Sequence, residues 1–313
     1  MTLKRRVQIT LLCLYFCNIA QAAGAALGDS AITLVVDDIS FTHAIFSVFV
    51  LPGKNFELHS LPMAKHRLLI ESDHIAHHER EEGAWDLQAP REPGLYSLKA
   101  RDIATQRVTR INVFVLVPYS KLADGRVDGY RIGVYPERPF KKIASYAMPA
   151  GFVKVTQENA DTLVSPHFTL RQFLCKQKGE YPKFLVVQSE TLSMLEAFLD
   201  FLDDKGYGVE TFGVISAYRT PYYNRLIGNV KYSRHIYGDA MDLYIDRDHD
   251  GRMDDLNNDG KRNVADVQLL LNLATDFQEQ SRGRYVGGRG KYNANRHHGG
   301  FVHIDNRGYQ ARW

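Results

Sequence analysis

The apolar positions of this chain fall into two regimes. From about Ala31 to Leu116 they come in short β-rich runs, AITLVV, AIFSVFV, HRLLIES, GLYSLKA and RVTRINVFVLV, separated by Gly, Pro and Asp turn positions with no long helical period between them. That pattern predicts an all-β sandwich over residues 30–117. Residues 118–150 then carry Pro118, Gly125, Gly129, Gly133, Pro136, Pro139 and Pro149 among Tyr and Lys, which reads as a linker. From 151 to 313 the pattern is mixed. Ser165 or Thr169 is placed to cap a short helix, and Leu192, Leu195, Phe198, Leu199 and Leu202 stand at helical spacing with Gly206 as a stop. VETFGVIS reads as a strand, and the turn at Thr220-Pro221 leaves Arg219 at its end. The run AMDLYID alternates, so Met241, Leu243 and Ile245 share one face and Ala240, Asp242 and Tyr244 the other, as in a half-buried strand that presents Asp242 to a pocket.

Composition narrows the setting. MTLKRR, an apolar run and Ala20-Gln21-Ala22 form a secretory leader over residues 1–22, too short in its apolar part for a comfortable membrane span. Loss of Lys4, Arg5 and Arg6 with that leader brings the 39 basic residues level with the 36 acidic ones, so no basic footprint for nucleic acid remains. Cys13 and Cys17 leave with it, and Cys175 alone cannot form an intramolecular disulfide. The expectation is a periplasmic or secreted protein that does not span a membrane, stabilised by core burial or bound metal.

The candidate chemistry lies in SRHIYGDAMDLYID and GFVHID. His235, Asp242 and His303 make a plausible open zinc site, with three protein ligands and a fourth position for water. SAYRTPYYN, SRHIYGDAMD and GFVHID, in this order, resemble the zinc D-alanyl-D-alanine carboxypeptidase and murein endopeptidase family. The ten-residue motif is specific, with Ser233, His235, Gly238, Ala240 and Asp242 all in place. The resemblance spans roughly residues 150–313 and implies a hedgehog/DD-peptidase-like α+β domain. It also implies zinc on His235, Asp242 and His303, and substrate contacts from Arg219 and Ser233. The function implied is hydrolysis of peptidoglycan stem peptides or cross-links; the alternative is a noncatalytic zinc-containing wall-binding or adhesion protein. Relatives often place Glu or Asp three residues before the last His, where this chain has Gly300. Asp305 is the replacement expected for the general base, with a role as orienter of His303 the competing reading. His297 and His298 are further candidates on a rim segment.

Between the second and third ligands lies DRDHDGRMDDLNNDGKRNVAD. Asp246, Asp248, Asp250 and Asp254 stand at calcium-loop positions one, three, five and nine, and Asp255, Asn257, Asp259 and Asp266 at positions one, three, five and twelve of a second, overlapping frame. The second frame resembles a dockerin-type loop, and a structural Ca2+ over residues 246–266 is the expectation. Trp85, Pro93, Gly94 and Tyr96 resemble the turn into a late strand of immunoglobulin-like modules, which gives the N-terminal module its expected class and a role in docking on the wall or a protein partner. His74, His77 and His78 read as a solvated loop, and VGGRGKYN as a flexible connection.

Overall fold

The computed structural model describes residues 29–62 and 67–313; the predicted leader lies outside them. The N-terminal module holds two sheets whose inner faces share one core. One has the strand order Ile39–His43, Asp29–Val36, Asn55–Leu61, Ala84–Gln88, Ala76–Glu81, antiparallel throughout. The other runs Ile45–Val50, Val108–Val115, Gly94–Asp102, Leu68–Glu71, and its first pair is parallel. Leu34, Leu58, Trp85, Leu98, Ile111 and Val113 are buried between them. Each such side chain contributes about 1.5–3 kcal/mol relative to exposure.

Four of these strands were not among the predicted runs. Asn55–Leu61 does alternate, with Phe56, Leu58 and Ser60 inward, but Glu57 and His59 dilute its β signal. Ala76–Glu81 is exposed at all six positions. His77 and His78 therefore lie on an edge strand and not in a loop, held by backbone pairing to Ala84–Gln88.

Residues 118–150 are not a free linker. Val127, Tyr130, Ile132, Tyr135 and Tyr146 are buried in the C-terminal core. Val117 pairs with Phe152, and a Cβ on Gly151 would stand 2.5 Å from the Val117 carbonyl oxygen, so the close approach needs glycine. Proline and glycine here shape short turns that tile a core instead of spacing two bodies apart. The two modules are also tied by buried and part-buried hydrogen bonds. Ser47 Oγ donates to Val164 O at 2.6 Å, Asn112 Nδ2 to Leu163 O at 2.7 Å, and Ser189 Oγ to Ser47 O at 3.0 Å.

The C-terminal domain is built on a five-stranded sheet. We label its strands β1 (Phe212–Ser216), β2 (Ala240–Ile245), β3 (Gly288–Tyr292), β4 (Phe301–Asp305) and β5 (Ala311–Arg312), and the helices α1 (Ser189–Asp204), α2 (Pro221–Leu226) and α3 (Val264–Gln280). The strand order is β1-β2-β4-β3-β5, with only the β3–β5 pair parallel. Helix α1 buries the predicted Leu192, Leu195, Phe198, Leu199 and Leu202 stripe, and Gly206 follows its end at φ +80°. Phe198 meets Phe277 of α3 with ring centroids 5.0 Å apart. Thr169 caps a short 3-10 turn through a reciprocal capping box with Gln172, while Ser165 sits in a strand.

Candidate metal centre

Strand register fixes two of the three predicted ligands. On β2 and β4, Asp242 stands directly opposite His303, and Ala240 opposite Asp305. Gly290 of β3 lies opposite His303 on the other side. Residues 240, 242, 303, 305, 288 and 290 therefore share one sheet face, while Met241, Leu243, Val302 and Ile304 turn to the opposite one. All six β2 residues are buried, which corrects the half-buried expectation: β2 is a central strand covered on both sides. Asp242 is thus an internal carboxylate, tolerated because both its oxygens are answered by charged or polar partners.

His235 arrives from a 3-10 turn, Arg234–Tyr237, that ends at Gly238 in the left-handed region, φ +73°. Arg234 of that turn is buried against Asp239 and lies over the rings of Tyr146 and Tyr237 at 4.0 and 4.9 Å. Its Nη2 also donates to Ser145 O at 2.8 Å, so the 118–150 segment anchors the motif. The backbone N–H of Arg219 donates to His235 O at 3.1 Å, closing the segment between them.

The three ligand atoms converge. His235 Nε2 lies 3.1 Å from Asp242 Oδ1, and His303 Nδ1 lies 2.8 Å from the same oxygen. One ligand atom from each residue falls within 4.8 Å of the others. The outer ring nitrogens are both committed: His235 Nδ1 is 2.6 Å from Ala217 O, and His303 Nε2 is 2.9 Å from Asp305 Oδ2. Since a carbonyl and a carboxylate only accept, the outer nitrogens carry the protons, and both inner nitrogens turn lone pairs toward an anionic oxygen. Lone pairs so gathered could hold a metal ion. The donor set, two imidazoles and one carboxylate, suits zinc.

The electrostatics agree. Burial lowers the His235 pKa, keeping it in the neutral form that a ligand needs. Burial would lower His303 also, but hydrogen bonds with Asp242 and Asp305 outweigh it and push it up to about 9. A metal at the inner nitrogen of His303 would have to displace the proton that this raised pKa favours. For Asp242, burial acts upward, and the charges and hydrogen bonds of His235 and His303 overcome it to hold the carboxyl below the usual range.

Two predicted roles change. Asp305 is fully buried and lies beyond His303, on the side away from Asp242. Its oxygens take the Gly288 N–H at 2.8 Å and Arg307 Nε at 2.8 Å besides His303. Burial raises its pKa, yet the Arg307 and His303 contacts prevail and hold it well below the carboxylate range. A carboxylate so placed is a poor proton acceptor, which favours the competing reading of Asp305 as orienter of His303 over that of general base. Gly300 does not offer an alternative, because a Cβ there would meet Val267 Cγ2 of α3 at 2.4 Å, on the helix side of the sheet. Arg219 is buried, with Nε donating to Ser216 Oγ at 2.8 Å and Nη2 paired to Asp242 Oδ2. It therefore steadies the candidate ligand Asp242. Ser233 is buried at the start of the His235 turn, and no side-chain capping bond is formed by it.

Gly288–Tyr292 of VGGRGKYN is strand and not flexible connection. A Cβ at Gly288 would meet Asp305 Oδ2 at 2.5 Å and Arg307 Nη2 at 2.7 Å, and one at Gly290 would meet Trp313 Nε1 at 2.3 Å. The glycines make room for the groups behind His303. Trp313, half exposed, lies against the His303 ring with centroids 5.0 Å apart and donates from Nε1 to Tyr292 OH at 2.7 Å. Neither Trp313 nor Arg307 was predicted, since nothing in their spacing ties them to the motifs. His297 is exposed and His298 half-buried, and His298 edges onto Phe301 at 4.9 Å.

The acidic loop divides unevenly. Asp246, Asp248 and Asp254 bring carboxylate oxygens within 4.8 Å of one another. Asp250 is instead paired with Arg262, which also holds Asp248 at 2.9 Å. In the second frame Asp255 accepts the Asp259 and Gly260 N–H groups at 3.2 and 2.7 Å, and the Asn257 side chain donates to Asp259 Oδ2 at 3.3 Å. Asp266 is consumed by the capping box of α3 and by the Leu256 N–H at 2.8 Å. The carboxylates of the second frame are not gathered into a ligand group among the described residues, so position twelve is a helix cap and not a metal ligand.

No curated protein matches this chain. Residues 166–259, less than a third of the chain but the part that carries His235 and Asp242, match the model of the Peptidase M15 family, a zinc D-alanyl-D-alanine carboxypeptidase-like family of metallopeptidases.

Proposed function

We propose that this chain is a zinc-dependent peptidase that hydrolyses peptidoglycan stem peptides or cross-links in the periplasm or outside the cell. The observation that carries the reading is the pair of imidazoles whose outer N–H groups are spent on fixed acceptors while their inner nitrogens converge on Asp242. Zinc bound there lowers the pKa of water to about 7 and polarises a peptide carbonyl. The chain's own residues prepare that place. Ala217 O and Asp305 hold the imidazoles in one tautomer, and Arg219 fixes Asp242 from its far oxygen. Arg219 also keeps positive charge beside the ligands, where it favours the oxyanion that develops as an amide is attacked. Digestion of purified murein tests the reading. Zinc-loaded protein is expected to release soluble peptides, chelation to abolish release, and added zinc to restore it. Tight murein binding with no released peptide would instead favour a noncatalytic wall-binding protein, a reading favoured by the displacement of Asp305 from the base position.

Asp305→Ala separates orienter from base. We expect zinc affinity to fall roughly 10–100-fold, as when other ligand-orienting groups are removed. Chelator competition measures it, and unchanged affinity with lost turnover would return Asp305 to the base role.

The two-sheet module is inferred to be an immunoglobulin-like docking unit. Supporting this, Tyr96 OH donates to Glu92 O at 3.0 Å, the kind of upstream backbone contact made by a tyrosine corner. A calcium ion is proposed between Asp246, Asp248 and Asp254. Asp254 is buried, its Oδ2 is taken by Arg247 at 2.6 Å, and its Oδ1 has no hydrogen-bond partner. An all-oxygen donor set suits a hard cation. Calorimetry is expected to show one Ca2+ per chain and a raised melting temperature, both lost in Asp254→Asn; no heat and no shift would remove the ion from the account.

A further inference from the structure

Strand β3 carries glycine at Gly288 and Gly290, the two positions beside Asp305 and His303, although glycine weakens a strand interior and offers nothing to pack. One residue fills the space that both leave. The Trp313 N–H donates to Arg289 O and the Lys291 N–H donates to Trp313 O, each at 3.2 Å, which sets Trp313 alongside Gly290. A Cβ on Gly290 would stand 2.6 Å from the indole Cε2, and one on Gly288 would stand 2.9 Å from Cη2. The indole thus lies on the bare backbone of β3. Its Nε1 donates to Tyr292 OH at 2.7 Å, and the guanidinium of Arg307, which holds Asp305, lies 5.2 Å from its ring.

What the indole touches is a candidate ligand. The His303 imidazole has its centroid 5.0 Å from that of Trp313 and 5.0 Å from that of His235, with the ring planes inclined at 49° and 70°. The hydrogen bond to Asp305 selects which nitrogen of His303 carries the proton, but a hydrogen bond keeps much of its strength over a range of angles. Close packing is less forgiving, because a ring held between neighbours has one orientation. At 50 % exposure the indole adds little to the core. It covers instead the side of His303 next to β3, where the two glycines supply no side chain of their own.

We propose that Trp313 is a positioning residue of the metal centre: seated on Gly288 and Gly290, it holds the His303 imidazole at the angle that turns Nδ1 toward Asp242 and the metal. The proposal rests on the zinc reading of His235, Asp242 and His303. Without the indole the imidazole borders open space on the β3 side and is free to tilt.

The test is zinc affinity, by chelator competition, in four forms of the full chain: native, Trp313→Ala, Gly290→Ala and the double variant. Trp313→Ala is expected to weaken zinc binding at least about tenfold, the lower end of the loss seen when a group orienting a metal ligand is removed. Gly290→Ala deletes nothing and its backbone is not left-handed, but its methyl group pushes the indole off its seat, so binding is expected to weaken here too. In the double variant that methyl group enters space the indole has left, and affinity is expected to be no lower than in Trp313→Ala alone. Trp313→Phe restores a ring and is expected to recover most of the lost affinity. With Co2+ in place of zinc, the visible absorption bands are expected to weaken and broaden in Trp313→Ala and to return in Trp313→Phe, a change that a role in folding alone would not produce. Urea midpoints of the metal-free proteins show whether each variant is folded, and Gly290→Ala decides alone if Trp313→Ala is not. Native zinc affinity in Trp313→Ala overturns the proposal, as do losses in the two single variants that multiply in the double one. Unchanged zinc affinity with a raised KM for a cleaved peptide would make Trp313 a substrate contact and overturns it too. If zinc binding follows the expected pattern but no peptide is cut, the peptidase reading fails and the role of Trp313 stands; a native chain that takes up no zinc removes the centre and this role together.

Discussion

Asp242→Asn is expected to abolish both zinc retention and hydrolysis, and to destabilise the fold as well. The neutral amide keeps the shape of the side chain but not the anion on which His235, His303 and Arg219 all converge. Loss of the metal removes several kcal/mol of charge stabilisation. At 1.36 kcal/mol per decade that is a fall of roughly 10³-fold or more in rate. Arg219 would also be left buried without its carboxylate, a change that costs about 3–5 kcal/mol when one partner of a buried pair is removed. His235→Ala separates the two effects, because it removes a ligand while leaving the Arg219–Asp242 pair. Hydrolysis should be lost equally in both variants, but the denaturant midpoint should fall further in Asp242→Asn. Zinc content by atomic emission and a urea titration decide the matter. An Asp242→Asn protein that keeps stoichiometric zinc and a tenth of native turnover would show that the metal is held elsewhere.

Gly238→Ala is the second large effect, and it acts through backbone alone. Gly238 closes the turn that carries His235, at φ +73°, and an added Cβ would stand 2.3 Å from the Val186 carbonyl oxygen. The left-handed conformation costs a non-glycine residue about 1–2 kcal/mol. The contact with a rigid backbone adds to this, because no side chain can move aside, so a total of roughly 3 kcal/mol or more is expected. Relief of the clash would shift the turn and with it His235, so zinc affinity should fall together with stability. Gly228→Ala is the control: its φ is +71°, and nothing lies within 4 Å of its added Cβ. The difference between the two variants in chemical denaturation measures the Val186 contact. Equal losses would show that the motif glycine serves conformation only.

The cluster of His235, Asp242 and His303 was legible because its spacing follows from local geometry. Ser233-x-His235-x-x-Gly238-x-Ala240-x-Asp242 encodes a turn, a left-handed stop and one strand face, all within ten residues. The α1 stripe was equally legible, since a helix buries residues by a period that the chain displays directly. The exposed edge strand Ala76–Glu81 was not, because its only reason to be extended is backbone pairing to a neighbour. The same is true of residues 118–150, where prolines and glycines that punctuate a linker also punctuate tight turns against a core.

For the centre itself, the sequence determined which residues meet and which metal their donor atoms suit, since ligand chemistry and strand alternation are local properties. Tertiary structure alone decided which partners each one meets. Asp305 shares a face with His303 whether it is base or orienter, and only the packing of Arg307 and Gly288 around it favours the orienter. The glycines of VGGRGKYN acquire meaning only from Trp313 and Asp305, which fill the space that their missing side chains leave. The acidic loop shows the same division: spacing offered two overlapping frames, and the cap of α3 and the Arg262 pairs left one cluster of three carboxylates. Residue type and spacing specify a donor's chemistry, but the competition among partners for each donor is settled in three dimensions.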